Sequence, residues 1–424
     1  MPAILPDIEP LRASRDFRLL WLGQLISQAG SALRLVAIPY QIYVLTGSSL
    51  AVGLLGLFSA VPLIALSLWG GVIADRVDRR KMLLVTNTCL ALTSVALALA
   101  TQAGVATVPV LYLLTAIGSG FGALDQPARS ALAPSLVERR LIPAAMALNQ
   151  TQFQVAQVVG PAIAGVLIAR FGLAPAYWVD VCTFIVATGA LLLMRVPQSD
   201  VRVVHAAPLR ALGDGMAFLL SRPLLLATMS VDFFATFFAV SRAVMPYYAD
   251  RVFAVGPEGL GLLYAAPGAG ATVVALTSGW TNRAQRRGLG ILVSVAIFGL
   301  AIALFGLLPP TGFIAGLVLL AIAQGADTVS SIFRHTILQL ETPDALRGRL
   351  SAINLVFVAG GPQLGQVESG VVADLWSPEA SVVSGGLACV GMVFVAHALA
   401  PEVARYRADL HQGPGANEVK PTEA

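Results

Sequence analysis

The chain contains a long succession of apolar runs, and that succession leaves few folds open to it. A bilayer core about 30 Å thick is crossed by about 20 residues of helix. Runs of that kind fall near 17–45, 49–73, 82–103, 108–132, 143–169, 174–195, 224–249, 258–281, 289–308, 312–338, 350–374 and 379–400. Hydrocarbon offers no partner to a backbone N–H or C=O, so each run is expected to be a helix, which satisfies those groups internally. The expected fold class is therefore all-α: a polytopic membrane protein with twelve transmembrane helices. Charged residues agree, at 12% of the chain against 57% hydrophobic, where a soluble domain carries about 25% charged residues.

The connections carry glycine, proline or charge, and the charge is distributed unevenly. On one side lie Arg12, Arg15 and Arg18; Arg76, Arg79, Arg80 and Lys81; Arg139 and Arg140; Arg195, Arg202, Arg210 and Arg222; Arg283, Arg286 and Arg287; Arg347 and Arg349; and Arg405, Arg407 and Lys420. The other side has only Arg170 and Arg251. The positive-inside bias then places both termini in the cytoplasm, in a multi-pass protein of the cell's inner membrane. The net charge of +4 follows from this topology, and no basic block interleaves with aromatics, so no nucleic-acid partner is expected. The first apolar run lacks a small-residue cleavage site and is expected to be retained. Trp21, Trp178, Trp280 and Trp376 fall near helix ends, where interfacial aromatics belong. Cys89, Cys182 and Cys389 lie in separate apolar runs, which suggests neither a disulfide nor a metal site. No cofactor is expected, and the chain is read as a monomer.

The longest internal connection, Val196 to Pro223, divides the runs six from six. The expected organisation is 1–195 as one six-helix half, 196–223 as a cytoplasmic linker, 224–400 as the second half, and 401–424 as a disordered cytoplasmic tail. Within the linker, Leu209, Leu212, Met216, Leu219 and Leu220 recur at helical spacing opposite Arg210 and Asp214, as in a helix lying on the membrane surface; the alternative is simply the start of the seventh helix. A repeat supports the division. Asp75-Arg76 with Arg79-Arg80 recurs as Asn282-Arg283 with Arg286-Arg287, 207 residues later, and Ala147-Leu148-Asn149 recurs as Ala352-Ile353-Asn354, 205 residues later. Parallel repeats with a site between them are a transporter plan.

The charged turn between the second and third runs, GVIADRVDRRK from Gly71 to Lys81, resembles the loop signature of the major facilitator superfamily. Gly160-Pro161-Ala162-Ile163-Ala164-Gly165 in the fifth run, Leu263 to Ala266, Val329-Ser330-Ser331 and Thr342 to Arg349 fit one branch of it. Together they resemble the proton-driven drug and siderophore exporters, over essentially the whole chain before its tail. That resemblance implies a two-half helical fold, alternating access, and a conformational latch made by Gly71, Asp75, Arg76, Arg79 and Arg80, with Asp75 near the start of the eleventh helix. It also implies that Gly160, Pro161 and Gly165 bend and closely pack the fifth helix in the manner of exporters. The alternatives are a merely topogenic loop and an ordinary packing kink. Asp78 departs from the signature, which has glycine there; aspartate tolerates the left-handed turn that glycine would occupy.

Charges inside membrane spans are costly and usually face a cavity or a partner. Arg34 is in the first helix, Asp125 and Arg129 in the fourth, Asp232 and Arg242 in the seventh, and Asp327, Arg334 and His335 in the tenth; the resemblance implies that these four helices line a central cavity. Asp180, Glu368 and His397 stand outside that set. A carboxylate among Asp125, Asp232, Asp327 and Glu368 is expected to exchange a proton for substrate, coupling inward proton flow to outward substrate movement. Asp125 and Arg129, four residues apart, could equally form a structural ion pair. His335 is either a proton relay or a helix-end histidine, and Glu368 either a proton acceptor or a hydrated interfacial carboxylate. Arg34 and Arg242 suit an anionic or catecholate substrate. These charged groups are expected to face one another across the gap between the halves.

The chain contains neither H-E-x-x-H nor a phosphate loop, and no soluble domain, so it reads as a transporter rather than an enzyme or a sensor. The expected function is proton-coupled export of a siderophore of the enterobactin kind or a similar small molecule, with multidrug or macrolide efflux as the alternative. Its partners would be that small molecule, protons and the lipid bilayer.

Overall fold

The computed structural model of the chain describes residues 7–195, 208–239, 242–343 and 346–407. The expected tail beyond 407 and most of the connection after 195 lie outside them. Among the described residues twelve long helices follow in order: α1 Arg15–Thr46, α2 as a short turn Ser49–Gly53 continued by Leu55–Arg76, α3 Arg79–Gln102, α4 Val108–Leu132, α5 Ile142–Phe171, α6 Leu173–Leu193, α7 Pro223–Ala239, α8 Gly256–Thr277, α9 Arg287–Gly306, α10 Phe313–Glu341, α11 Arg347–Leu375 and α12 Pro378–Leu399. Ten of these regions are long and apolar enough to cross a membrane. The remaining two, α1 and α11, have the length, at 32 and 29 residues, but carry polar stripes that the cavity explains below.

Local chemistry sets the ends. Ser14, Ser48 and Ser377 accept hydrogen bonds from the backbone N–H three residues on and so cap α1, α2 and α12. Gly47 takes φ 65° after α1, the left-handed stop that glycine adopts without strain. Asp78 is not the left-handed residue expected of it. At φ −55° and ψ 118° it is the N-cap of α3, its Oδ1 accepting from the N–H groups of Arg80 and Lys81 at 2.9 and 3.2 Å.

The seventh run is not uniformly α-helical: α7 is described over Pro223–Ala239, a tight turn follows at Arg242–Val244 and a wide one at Tyr248–Val252, and the stretch Pro223–Val252 is long and apolar enough to cross a membrane. Pro246, which has no N–H to donate, sits in the first turn of the short restart between them. The amphipathic linker segment forms a helix, Pro208–Leu220, one side of which packs on α11. Leu219 is fully buried, and Gly215 lies against Ile353 and Arg349 of α11, while Met216 and Leu220 remain exposed.

The packing repeats. Within the first six helices α1 pairs with α5 and α6, α2 with α4, and α3 with α4 and α6; the same pairings, six helices later, join α7 to α11 and α12, α8 to α10, and α9 to α10 and α12. The sets meet through α5 against α8 and α2 against α11, a pair of contacts that the same shift exchanges. Both crossings depend on absent side chains. A Cβ on Gly261 would lie 2.5 Å from the Pro161 carbonyl oxygen and 2.8 Å from Gly165 Cα, and one on Gly370 would lie 3.1 Å from Gly53 Cα. These crossings lie toward the end of the bundle away from the arginine-rich loops.

Candidate functional site

A cavity of about 710 Å³ opens inside the bundle, in the upper part of the ~300–1,000 Å³ range of small-molecule sites. Its wall reaches Ser130 near the end of α4 and Met146 near the start of α5, within about a turn of the arginine-rich end. In the other direction it stops at Ile38, Pro39, Leu55, Leu114, Arg242 and Gln363, near the glycine crossings. Carboxamides come from both polar helices: Gln24 and Gln28 from α1, Gln363 and Gln366 from α11. That accounts for their lower apolarity.

Four of the charged residues singled out above line this cavity: Arg34, Asp125, Arg129 and Arg242. Two of the three arginines are already neutralised. Arg34 Nε lies 3.0 Å from Asp180 Oδ2 on α6, and Ser94 Oγ donates to the same oxygen at 2.6 Å. The guanidinium also donates to Ser31 Oγ at 3.2 Å and lies over the Phe184 ring. Arg129 pairs with Asp125 on its own helix and donates to Asn87 Oδ1, while Thr86 Oγ1 donates to Asp125 Oδ1 at 2.7 Å. Arg242 differs. It opens the tight turn Arg242–Val244, its side chain is exposed to the cavity, and it forms no ion pair among the described residues. Tyr264 donates from its hydroxyl to the Arg242 carbonyl oxygen at 3.0 Å, which ties the turn to α8.

Asp232 and Asp327 lie elsewhere. Neither lines the cavity; both meet Arg334, whose guanidinium is 2.6 Å from Asp232 Oδ1 and 3.7 Å from Asp327 Oδ1 and donates to Ser330 Oγ at 2.8 Å. Gln324 Nε2 donates to Asp327 Oδ2 at 2.9 Å. Two carboxylates therefore share one guanidinium, in a cluster on α7 and α10. His335 is exposed beside it on α10. Glu368 is half-buried on α11, with Oε2 buried and unbonded.

The expectation that these charges face one another across the central gap is overturned. Arg34–Asp180 and Asp125–Arg129 lie within the first six helices, and Asp232–Arg334–Asp327 within the last six. The expectation that α10 lines the cavity also fails, since it supplies no wall residue, while α2, α3 and α5 do. Charge on a helix marked a buried face, and on α10 that face turns to α7.

Of the loop residues, the side chains of Gly71, Asp75 and Arg76 lie outside the description, and so does any contact of Asp75 with α11. Arg79 and Arg80 have clear roles within the first half. Arg79 Nη1 donates to the Ala131 carbonyl at the end of α4, 3.0 Å away. Arg80 donates to the Leu191 and Leu192 carbonyls at the end of α6, at 2.9 and 2.8 Å. Each arginine thus serves carbonyls that a helix end leaves unpaired. On α5, Gly160 packs against Ala29 and Ala32 of α1, while Pro161 and Gly165 form the crossing with Gly261.

Sequence reasoning left Asp180 outside the site and kept Arg334 out of the candidate set. Arg334 had a signal, lying seven residues after Asp327 and so on the same helix face. The carboxamides had one too, Gln24, Gln28 and Ser31 falling at i, i+4 and i+7. Asp180 had none, since its partner is on another helix.

Residues 7–414 match the transmembrane secretion effector family. An enterobactin exporter of Citrobacter koseri is 32% identical over 406 residues, 95% of this chain and 96% of its own length. One of Shigella boydii is 32% identical over 383 residues, 90% and 91% of the two chains. Among solved structures, a nucleoside transporter superposes with a TM-score of 0.76 at 12% identity, covering 91% of this chain and 99% of its own. A bacterial homologue of the human lysosomal transporter Spinster, inward-facing and unoccupied, superposes with a TM-score of 0.68 at 16% identity, covering 94% and 98%. These structural likenesses speak to the fold alone.

Proposed function

The chain belongs to the transmembrane secretion effector family of the major facilitator superfamily, a membrane transporter and not an enzyme, and on that premise we propose that it is a proton-coupled exporter of an anionic siderophore of the enterobactin kind. The observation that carries the reading is the isolation of Arg242. Arg34 and Arg129 spend their charge on Asp180 and Asp125, so among the described wall residues Arg242 supplies the uncompensated charge, and it is positive. A catecholate or carboxylate entering the cavity gains a guanidinium that remains charged at any physiological pH. The enterobactin exporters that the chain resembles carry a substrate class of that chemistry in their name.

The arginine-rich end is taken to face the cytoplasm by the positive-inside rule. The cavity then opens inward, ready to load from the cytoplasm, with the glycine crossings closing the periplasmic side. Export follows when the bodies 1–195 and 224–400 rock about the cavity. All the interior ion pairs above lie within one body, so rocking need not break them.

Proton coupling is assigned to the Asp232–Arg334–Asp327 cluster. One guanidinium balances one carboxylate, which leaves the second to take up and release a proton while the first stays paired. This narrows the earlier set of four carboxylates. Asp125 has its own arginine, while Glu368, with no ion pair among the described residues, is the competing carrier.

A second reading, efflux of lipophilic drugs, is favoured by the apolar outer wall formed by Leu35, Ile38, Leu55, Leu63, Leu97 and Leu114. The two separate in a deletion strain. Loss of secreted siderophore with unchanged drug tolerance supports the first reading, and the reverse result sinks it. In proteoliposomes, an imposed pH gradient should drive siderophore accumulation, and its failure to do so would remove the proton from the scheme.

A further inference from the structure

Resting on the export reading, the structure points to a subsite within the cavity that nothing above assigns. Among the described residues, six buried side-chain polar atoms have no hydrogen-bond partner, and four of them belong to three glutamines: Gln24 Nε2, Gln28 Oε1, and both Oε1 and Nε2 of Gln152. Buried amides left unpaired are rare enough in folded proteins that each calls for an explanation. Here they are concentrated at one level of the bundle. Helices α1 and α5 run side by side in the same direction, with Trp21 Nε1 donating to the Leu148 carbonyl at 3.1 Å and Gly160 packed on Ala29 and Ala32. Gln152 falls between those two anchors, at the depth of Gln24 and Gln28.

Gln24 and Gln28 are four residues apart on one helical face, and both line the cavity. Gln24 is 6% exposed and Gln152 1%. Gln152 is not at the cavity surface and backs the pair from α5. The adjoining charge is quenched, because Arg129 is held by Asp125. These two cavity-lining side chains therefore carry an unpaired amide donor on Gln24 and an unpaired carbonyl acceptor on Gln28, shielded in the wall and reached by a ligand once the amides turn toward it, without net charge.

We infer that Gln24 and Gln28 form a recognition subsite for a neutral group that both donates and accepts hydrogen bonds, an amide or an aromatic diol in its protonated form. The substrate then lies along the cavity with its neutral polar part toward the arginine-rich end and its anionic part at Arg242. Such a site discriminates through unpaired amides: a ligand lacking the hydroxyl or amide hydrogens leaves them buried and unmet, and polar sites of this kind reject such analogues strongly.

The test uses the purified full-length protein in detergent and two fragments, a neutral dihydroxybenzamide and the same molecule with both hydroxyls methylated, with affinities measured by calorimetry. The wild type should bind the free diol at least tenfold more tightly than its methylated form. Gln24→Leu and Gln28→Leu should each bring that ratio close to one, and Gln24→Asn should retain part of it. Thermal unfolding of each variant checks that folding is intact, since leucine is tolerated in an apolar bundle. A wild-type ratio near one, or a ratio that survives both leucine substitutions, overturns the subsite. Failure of siderophore export in cells with the fragment preference intact would instead count against the export reading alone.

Discussion

Arg34 on α1 and Asp180 on α6 close an ion pair at 3.0 Å, with the Asp180 side chain fully buried behind the cavity wall. The pair is completed by Ser94 on α3, so three helices of the first half converge on one carboxylate. Arg34 thereby faces the cavity as a hydrogen-bond donor with its charge answered from behind.

Removing the acid should be far more harmful than removing both partners. Asp180→Leu leaves Arg34 uncompensated in a low-dielectric wall, a change that typically costs about 3–5 kcal/mol. The double variant Arg34→Leu with Asp180→Leu should recover most of that loss. Thermal unfolding in detergent measures both, and equal damage from the single and double variants would show that the pair does not act as a unit.

Arg242 should behave as a substrate contact rather than a structural group, since it holds no ion pair among the described residues. Arg242→Gln removes a charge-assisted hydrogen bond worth about 1.5–3 kcal/mol, so KM for an anionic siderophore should rise roughly ten- to a hundredfold. Transport of an uncharged lipophilic compound should be nearly unaffected. Concentration-dependent uptake into everted vesicles gives both numbers.

In the α7/α10 cluster, Asp232→Asn and Asp327→Asn each leave Arg334 with one carboxylate and no surplus to titrate. Substrate exchange across the membrane should continue in both variants, whereas accumulation driven by an imposed pH gradient should fall at least tenfold. Exchange also loses its dependence on external pH if this surplus carboxylate is the proton carrier. Gradient-driven transport persisting in both variants would return the role to Glu368 or Asp125.

The glycine crossings predict a conformational effect. A leucine at Gly261 has no room beside the Pro161 carbonyl and Gly165, so Gly261→Leu should hold α5 and α8 apart and bias the protein toward opening at the end away from the arginine-rich loops. Spin labels at Phe171 and Val255 should report a longer and broader distance distribution than in the wild-type background, together with a transport rate reduced at least tenfold. An unchanged distribution would mean that the crossing is not a point of closure.

Much of this protein is legible along the chain, though not evenly. Helix boundaries read from apolar runs fall within a few residues of those observed, the seventh run passing through tight and wide turns over 242–252. The repeat was visible in its loops, and a third mark of it was available in Pro62 and Pro267, which lie inside α2 and α8 at a matching interval. Arg79 and Arg80 stood out as a charged pair, but nothing local told that each would bind the carbonyl end of a different helix. Listing interior charges found Arg34, Asp125, Arg129 and Arg242, yet it treated Asp180 as an exception when it is Arg34's partner. Attention to charge also hid the uncharged amides of α1 and α11, which equal the charged residues of the wall in number.

The division has a physical cause. Whether a segment spans a bilayer, and which of its ends stays with the arginines, depends on transfer free energies summed over neighbouring residues; the order of residues alone therefore determined a many-helix membrane transporter with a repeated plan. Which acid answers which base depends on helices brought together by packing, at separations that no local sum contains. Only the tertiary structure decided that the charges pair inside each half, that α10 supplies no residue to the cavity wall, and that Arg242 stands in that wall without an ion pair among the described residues.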